Sequence, residues 1–196
     1  EIYLAWTDLN RVTAADCLDI LSYFGEEEEP IAWSKAQSML NVFNSRLFGT
    51  SAYEKFQKFL AKITAPHLDE NGLEGIDGEA SSLTSLRSSA KTWNCRALDE
   101  KCLKYEQQKL EAYLTSGVLS STFDFCHALR LLGDDEYSKI VTAVAANGTY
   151  GSRASFLTSL GCSMKEENLK KFLAITIDSA NILSPAERQN AWINTA

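Results

Sequence analysis

Residues 83–132, LTSLRSSAKTWNCRALDEKCLKYEQQKLEAYLTSGVLSSTFDFCHALRLL, and 133–177, GDDEYSKIVTAVAANGTYGSRASFLTSLGCSMKEENLKKFLAITI, decide the fold. One amphipathic helical pattern returns in them three times. Leu103, Leu110, Tyr113 and Leu114 make one apolar stripe, Tyr137, Ile140, Val141, Val144 and Ala145 the next, and Leu169, Phe172 and Leu173 the third. Leu103 to Tyr137 is a step of 34 residues and Tyr137 to Leu169 one of 32. Shorter helical segments lie between them, one with Phe125, Ala128, Leu129 and Leu132, the other with Phe156, Leu157 and Leu160. A period in the low thirties built from two helices belongs to a stacked solenoid, in which each hairpin buries its apolar face only against the next. The expected fold is all-α: a right-handed superhelical array of antiparallel helix hairpins of the HEAT/armadillo kind, with no significant sheet.

Hydroxyl residues followed three positions later by an acid mark helix starts, because the pair satisfies two otherwise unpaired backbone donors. Thr13 with Asp16 opens a helix carrying Cys17, Leu18, Leu21 and Phe24; Ser51 with Glu54 opens one carrying Tyr53, Phe56, Leu60 and Ile63. Ser121 with Asp124, Ser163 with Glu166, and Ser184 with Pro185 and Glu187 open three more. Pro30 to about Leu47 is predicted as a helix with Ile31, Ala36, Leu40, Phe43 and Leu47 on one face. The acidic run Glu26–Glu29 ahead of it reads as a solvated turn that a basic partner could use, and Trp6, Trp33, Trp93 and Trp192 read as hairpin core or interface. Between Ala65 and Ala80, Pro66, Gly72, Gly75 and Gly78 mix with acids in a stretch that reads as an exposed loop. Its spacing does not match a twelve-residue calcium loop. The chain is thus read as a single helical domain over 1–196, with sub-parts 1–66 and 81–196 joined by the 67–80 loop, and with its last repeat breaking off inside a helix.

Composition narrows the function classes. A 196-residue chain that is 45% hydrophobic, with 10 Gly and 3 Pro, has the balance of a globular helical protein. Its net charge of −7, with no Lys/Arg stripe, repels a nucleic-acid backbone, so no nucleic-acid partner is expected. No apolar run approaches the roughly 18 residues of a membrane span. The start, EIYLAWTDLN, has neither a basic leader nor an initiator Met, so residue 1 is expected to be an internal boundary.

Five cysteines remain to be placed. Cys95 and Cys102 flank a turn seven residues apart, and Cys126 and Cys162 are separated by 36, one repeat plus about one helical turn, so both pairs are within disulfide reach. Cys17 is left over on an apolar face. Spacing alone admits five reduced thiols equally well. The sequon Asn147-Gly148-Thr149, in a turn between repeats, shifts the balance towards the secretory pathway and marks Asn147 as a glycosylation site.

The runs RSSAKTWNCRALDEKC, STFDFCHALRLLGDDEY and SFLTSLGCSMKEENLKKFLAITI resemble the helical C-terminal domain of aminopeptidase N and its relatives, the zinc gluzincin aminopeptidases. The likeness is densest from about Leu86 to Ile177, and weaker but colinear from Tyr3 to Pro66. It implies two bridges, Cys95–Cys102 and Cys126–Cys162, with Cys17 as a free thiol. The chain departs from the family pattern at Ser121 and Thr158, where relatives carry arginines, so contacts made by those arginines do not transfer. Catalysis in that family needs His-Glu-x-x-His, a further Glu ligand and Gly-x-Met-Glu-Asn, none of which occurs here. His67 and His127 are the only histidines, and zinc needs at least three protein ligands held together. His127, beside Cys126, is expected on a helix surface, since adjacent helical residues point about 100° apart.

The resemblance therefore implies a non-catalytic segment without a cofactor of its own, inactive alone, in a parent enzyme that holds zinc and removes N-terminal residues from peptides. The implied role is to cap the catalytic chamber, restrict substrate size, and support homodimer contacts or docking of a toxin or virus. The implied partners are the catalytic domain of the same polypeptide and peptide substrate in the shared chamber, at the extracellular cell surface. The other reading is a free-standing solenoid scaffold for protein–protein interaction. A stand-alone hydrolase is disfavoured by the missing motifs.

Overall fold

Thr13 opens the first helix as a capping box: its side chain accepts from the Asp16 amide at 3.2 Å while Asp16 Oδ2 accepts from the Thr13 amide at 2.8 Å. This helix, α1 (Ala14–Ser22), is followed by a 3-10 turn (Tyr23–Gly25), α2 (Pro30–Leu47), α3 (Tyr53–Asn71), α4 (Ser81–Arg96), α5 (Glu100–Ser116), α6 (Phe125–Leu129), α7 (Asp134–Ala145) and α8 (Glu166–Asp178). The computed structural model describes residues 12–117, 124–145, 157, 159–178, 183–184, 186 and 188–189. Among these residues there is no strand, and the chain is all-α.

Two compact units divide the chain, Glu1–Cys102 and Leu103–Ala196. In the first, α3 is the helix on which α1, the 3-10 turn, α2 and α4 all pack. Tyr53, Phe56, Leu60 and Ile63 recur at three- and four-residue steps along α3 and are buried together with Cys17, Leu21, Trp33, Leu40, Phe43 and Trp93. In the second unit α7 packs on α8, and Leu110, Tyr113, Phe125, Leu129, Tyr137, Ile140 and Phe172 share one core.

Several expectations change in detail. Pro30 takes the first position of α2, where its missing donor costs nothing, and the helix ends at Leu47. The buried face is Trp33, Ala36, Met39, Leu40 and Phe43, however, and Ile31 is 74% exposed. The Trp33 indole N–H donates to the Glu27 carbonyl at 2.8 Å, which holds the acidic run as a turn and rolls α2 onto its tryptophan side. α3 starts after Ala52, with no side-chain cap, so Ser51 does not open it. The expected loop from residue 65 also begins too early. α3 runs through Pro66 to Asn71, because the turn beyond the proline is tied from outside: His67 Nε2 lies 2.7 Å from the Phe24 carbonyl, and Arg87 Nε donates to the Asn71 carbonyl at 3.0 Å. Gly72, at φ +70°, then ends the helix.

At α6 the cap is Asp124, whose Oδ1 accepts from the amides of Cys126 and His127, while Ser121 lies outside the described residues. Ser163 accepts from the Lys165 amide at 3.2 Å, one turn ahead of α8 rather than as its cap. The start at Ser184 with Pro185 and Glu187, Trp6 and Trp192, and the ends of the 137–145 and 156–160 stripes at Val144, Ala145 and Phe156 lie wholly or partly outside the described residues.

Candidate functional site

The first bridge closes the α4–α5 corner. Cys95 sits in the last turn of α4 and Cys102 in the first turn of α5, with Cα atoms 5.2 Å apart. The chain reverses through Ala97, whose amide returns to the Trp93 carbonyl at 2.9 Å, and Leu98, which bonds the Cys95 carbonyl at 3.1 Å with φ +64°. Asp99 Oδ1 then accepts from the Cys102 amide at 2.9 Å and caps the next helix.

The second bridge joins α6 to the turn ahead of α8, with Cys126 and Cys162 Cα atoms also 5.2 Å apart. Neutral hydrogen bonds lace the same two segments. The Met164 amide donates to the Arg130 carbonyl at 2.8 Å, Asn168 Nδ2 donates to the Leu132 carbonyl and to Ser163 Oγ at 3.1 Å each, and the Tyr137 hydroxyl donates to the Leu160 carbonyl at 2.8 Å. Burial raises the Tyr137 phenol well above its ordinary range, so it remains a donor. Glu106, fully buried, accepts from the Asp124 amide at 3.1 Å and fixes the start of α6. His127 is 2% exposed, which corrects its expected place on a helix surface: α6 is too short and too enclosed by its neighbours to keep a wet face.

Cys17 is a buried free cysteine, and burial, with Asp16 adding to it, raises its thiol, so it stays protonated and inert. Asn147 lies outside the described residues. Sequence reasoning missed a clamp in the first unit: the Arg87 guanidinium grips the Glu79 carboxylate with both terminal nitrogens, and the pair is almost wholly buried. Arg87 holds the Glu79 carboxyl down at about 2. No sequence signal marks the pair, because Glu79 lies outside α4 and meets Arg87 only once the 72–80 loop folds back. Asn94 Nδ2 donates to Thr64 Oγ1 at 3.0 Å, joining α4 to α3 inside the same unit.

In the second unit Glu106 and His127 bring a carboxylate oxygen and a ring nitrogen within 4.8 Å of each other. What the residues build is a pair of sulphur-pinned, hydrogen-bonded helical corners.

Residues 3–193 match the family of the ERAP1-like C-terminal domain, and the chain belongs to that family. It is 23% identical over 189 residues to the membrane alanyl aminopeptidase of Heliothis virescens, covering 94% of this chain and 19% of that protein. The chain thus spans about a fifth of the length of this relative.

Proposed function

We propose that the chain is the non-catalytic C-terminal part of an aminopeptidase N-like zinc metalloaminopeptidase that removes N-terminal residues from peptides. The observation that carries the reading is the family match from residue 3 to 193, which spans both helical units. In this reading the helical array walls a chamber over a catalytic domain in the same polypeptide. It admits peptides, shuts out folded proteins, and contributes solvent exclusion and substrate size selection. Its outer face is available for homodimer contacts or for docking of a toxin or virus, and the protein works at the outer cell surface. The paired cysteines support that compartment. No described helix is long and apolar enough to cross a membrane.

The test is activity of the parent polypeptide against substrates of graded size. A short peptide and an aminoacyl anilide are expected to be cleaved, while a folded protein with the same N-terminal residue is not. The 196-residue chain alone is expected to cleave none of them. Equal rates on the peptide and the folded protein would sink the size-filter role, and metal-dependent cleavage by the chain alone would sink the non-catalytic one.

A further inference from the structure

We propose that Met164 is a modification site: a peroxide converts its thioether to the sulfoxide, and the Arg130 guanidinium holds the new oxygen. The inference concerns the second unit alone and does not depend on the aminopeptidase reading. The chain has two methionines, and they sit in opposite surroundings. Met39 is 6% exposed in the core of the first unit, whereas Met164 is 39% exposed in the turn between Cys162 and α8. A thioether needs no ionisation to react, so access of the oxidant decides between the two. The other sulphurs are withdrawn from the reaction, since Cys17 is buried and the remaining four cysteines are paired with one another.

The second observation is the donor already placed at this sulphur. Arg130 Nη1 points at Met164 Sδ from 4.0 Å on the exposed side of the joint. The Met164 amide donates to the Arg130 carbonyl at 2.8 Å, so the two residues are held face to face by their backbones as well. A thioether is a weak acceptor, and oxidation makes the side chain polar and chiral, with an oxygen that accepts well. A sulphur–oxygen bond of about 1.5 Å directed towards Nη1 leaves roughly 2.5–3 Å between oxygen and nitrogen, the range of an N–H···O bond. The reaction needs only the peroxide. A sulphur lone pair attacks one peroxide oxygen, the O–O bond breaks, and the transferred oxygen passes its proton to the departing hydroxide, which leaves as water. The sulphur is oxidised by two electrons and the peroxide is reduced by two. The product adds a charge-assisted hydrogen bond across the joint that the Cys126–Cys162 bridge pins. Oxidation therefore tightens the structure here, where at a buried methionine it disrupts the core.

The experiment treats the folded 196-residue chain with hydrogen peroxide and follows it by peptide mass mapping, by NMR of the arginine side-chain N–H groups, and by Tm. Met164 is expected to gain an oxygen at least about tenfold faster than Met39. The Arg130 side-chain signals should shift in step with that oxidation, and the Tm of the singly oxidised chain should rise by about 1–3 °C. Met164 is exposed enough for its replacement to leave the fold intact, which allows two controls. Met164→Leu should show no Arg130 shift on peroxide treatment. Met164→Gln, whose amide oxygen stands in for the sulfoxide oxygen, should show the shift without peroxide. Equal oxidation rates at the two methionines, Arg130 signals indifferent to the state of Met164, the same shift in peroxide-treated Met164→Leu, or a lower Tm for the singly oxidised chain overturns the proposal.

Discussion

Leu98 occupies a left-handed backbone conformation, φ +64°, and is the non-glycine residue among those described that does so. A side chain there costs roughly 1–2 kcal/mol, and the tight reversal between Cys95 and Cys102 requires the conformation regardless. Leu98→Gly is therefore expected to raise stability by about 0.5–1 kcal/mol in urea unfolding, after the greater freedom of glycine in the unfolded chain is counted. Glu79 makes the second prediction at this scale. Arg87 lowers its folded-state value from an ordinary 4.5 to about 2, so its contribution to stability is complete above pH 4.5 and is lost as pH falls towards 2. Glu79→Gln should destabilise the chain at neutral pH and flatten the acid limb of its stability profile across that window, measured as Tm against pH. An unchanged limb would show that the clamp contributes nothing to acid sensitivity.

At the scale of the element, α3 shows a tertiary contact overriding a local rule. A proline inside a helix removes one ladder donor and costs up to about 3 kcal/mol, which is why the sequence reading ended the helix there. The helix continues because His67 and the Asn71 carbonyl are held by Phe24 and Arg87. Pro66→Ala is expected to stabilise by about 1–3 kcal/mol in thermal or urea unfolding, and a loss of stability would mean that the proline sets a bend the packing needs. The start of α1 was legible because both halves of a capping box lie within four residues. That of α6 was less so, since Asp124 fits equally well as the cap or as the third helical residue until the backbone is placed. The buried face of α2 differs from the expected one at Ile31 for a similar reason. Periodicity allowed either stripe, and the bond from the Trp33 indole to the Glu27 carbonyl chose between them.

For the whole molecule the bridges set the expectations. The chain-entropy estimate assigns roughly 4 kcal/mol to the 36-residue separation of Cys126 and Cys162 and roughly 2 to the seven-residue one of Cys95 and Cys102. Replacing Cys126 and Cys162 together by Ala should therefore lower stability more than the same change at Cys95 and Cys102, read from urea unfolding of the two variants. Thiol titration under denaturing conditions without reductant should count one free cysteine, Cys17. Five would mean that the bridges do not form in the natural compartment.

The amino-acid sequence by itself determined the helical class, the repeat period, the main core stripes and the spacing of the cysteine pairs. All of these depend on neighbours within one or two turns or on a regular recurrence, and such order is written along the chain. The burial of His127, the Arg87–Glu79 clamp and the reach of α3 past its proline were decided only by the tertiary structure. Each joins residues that no periodicity relates, so their energies exist only once separate helices and loops have been brought against one another.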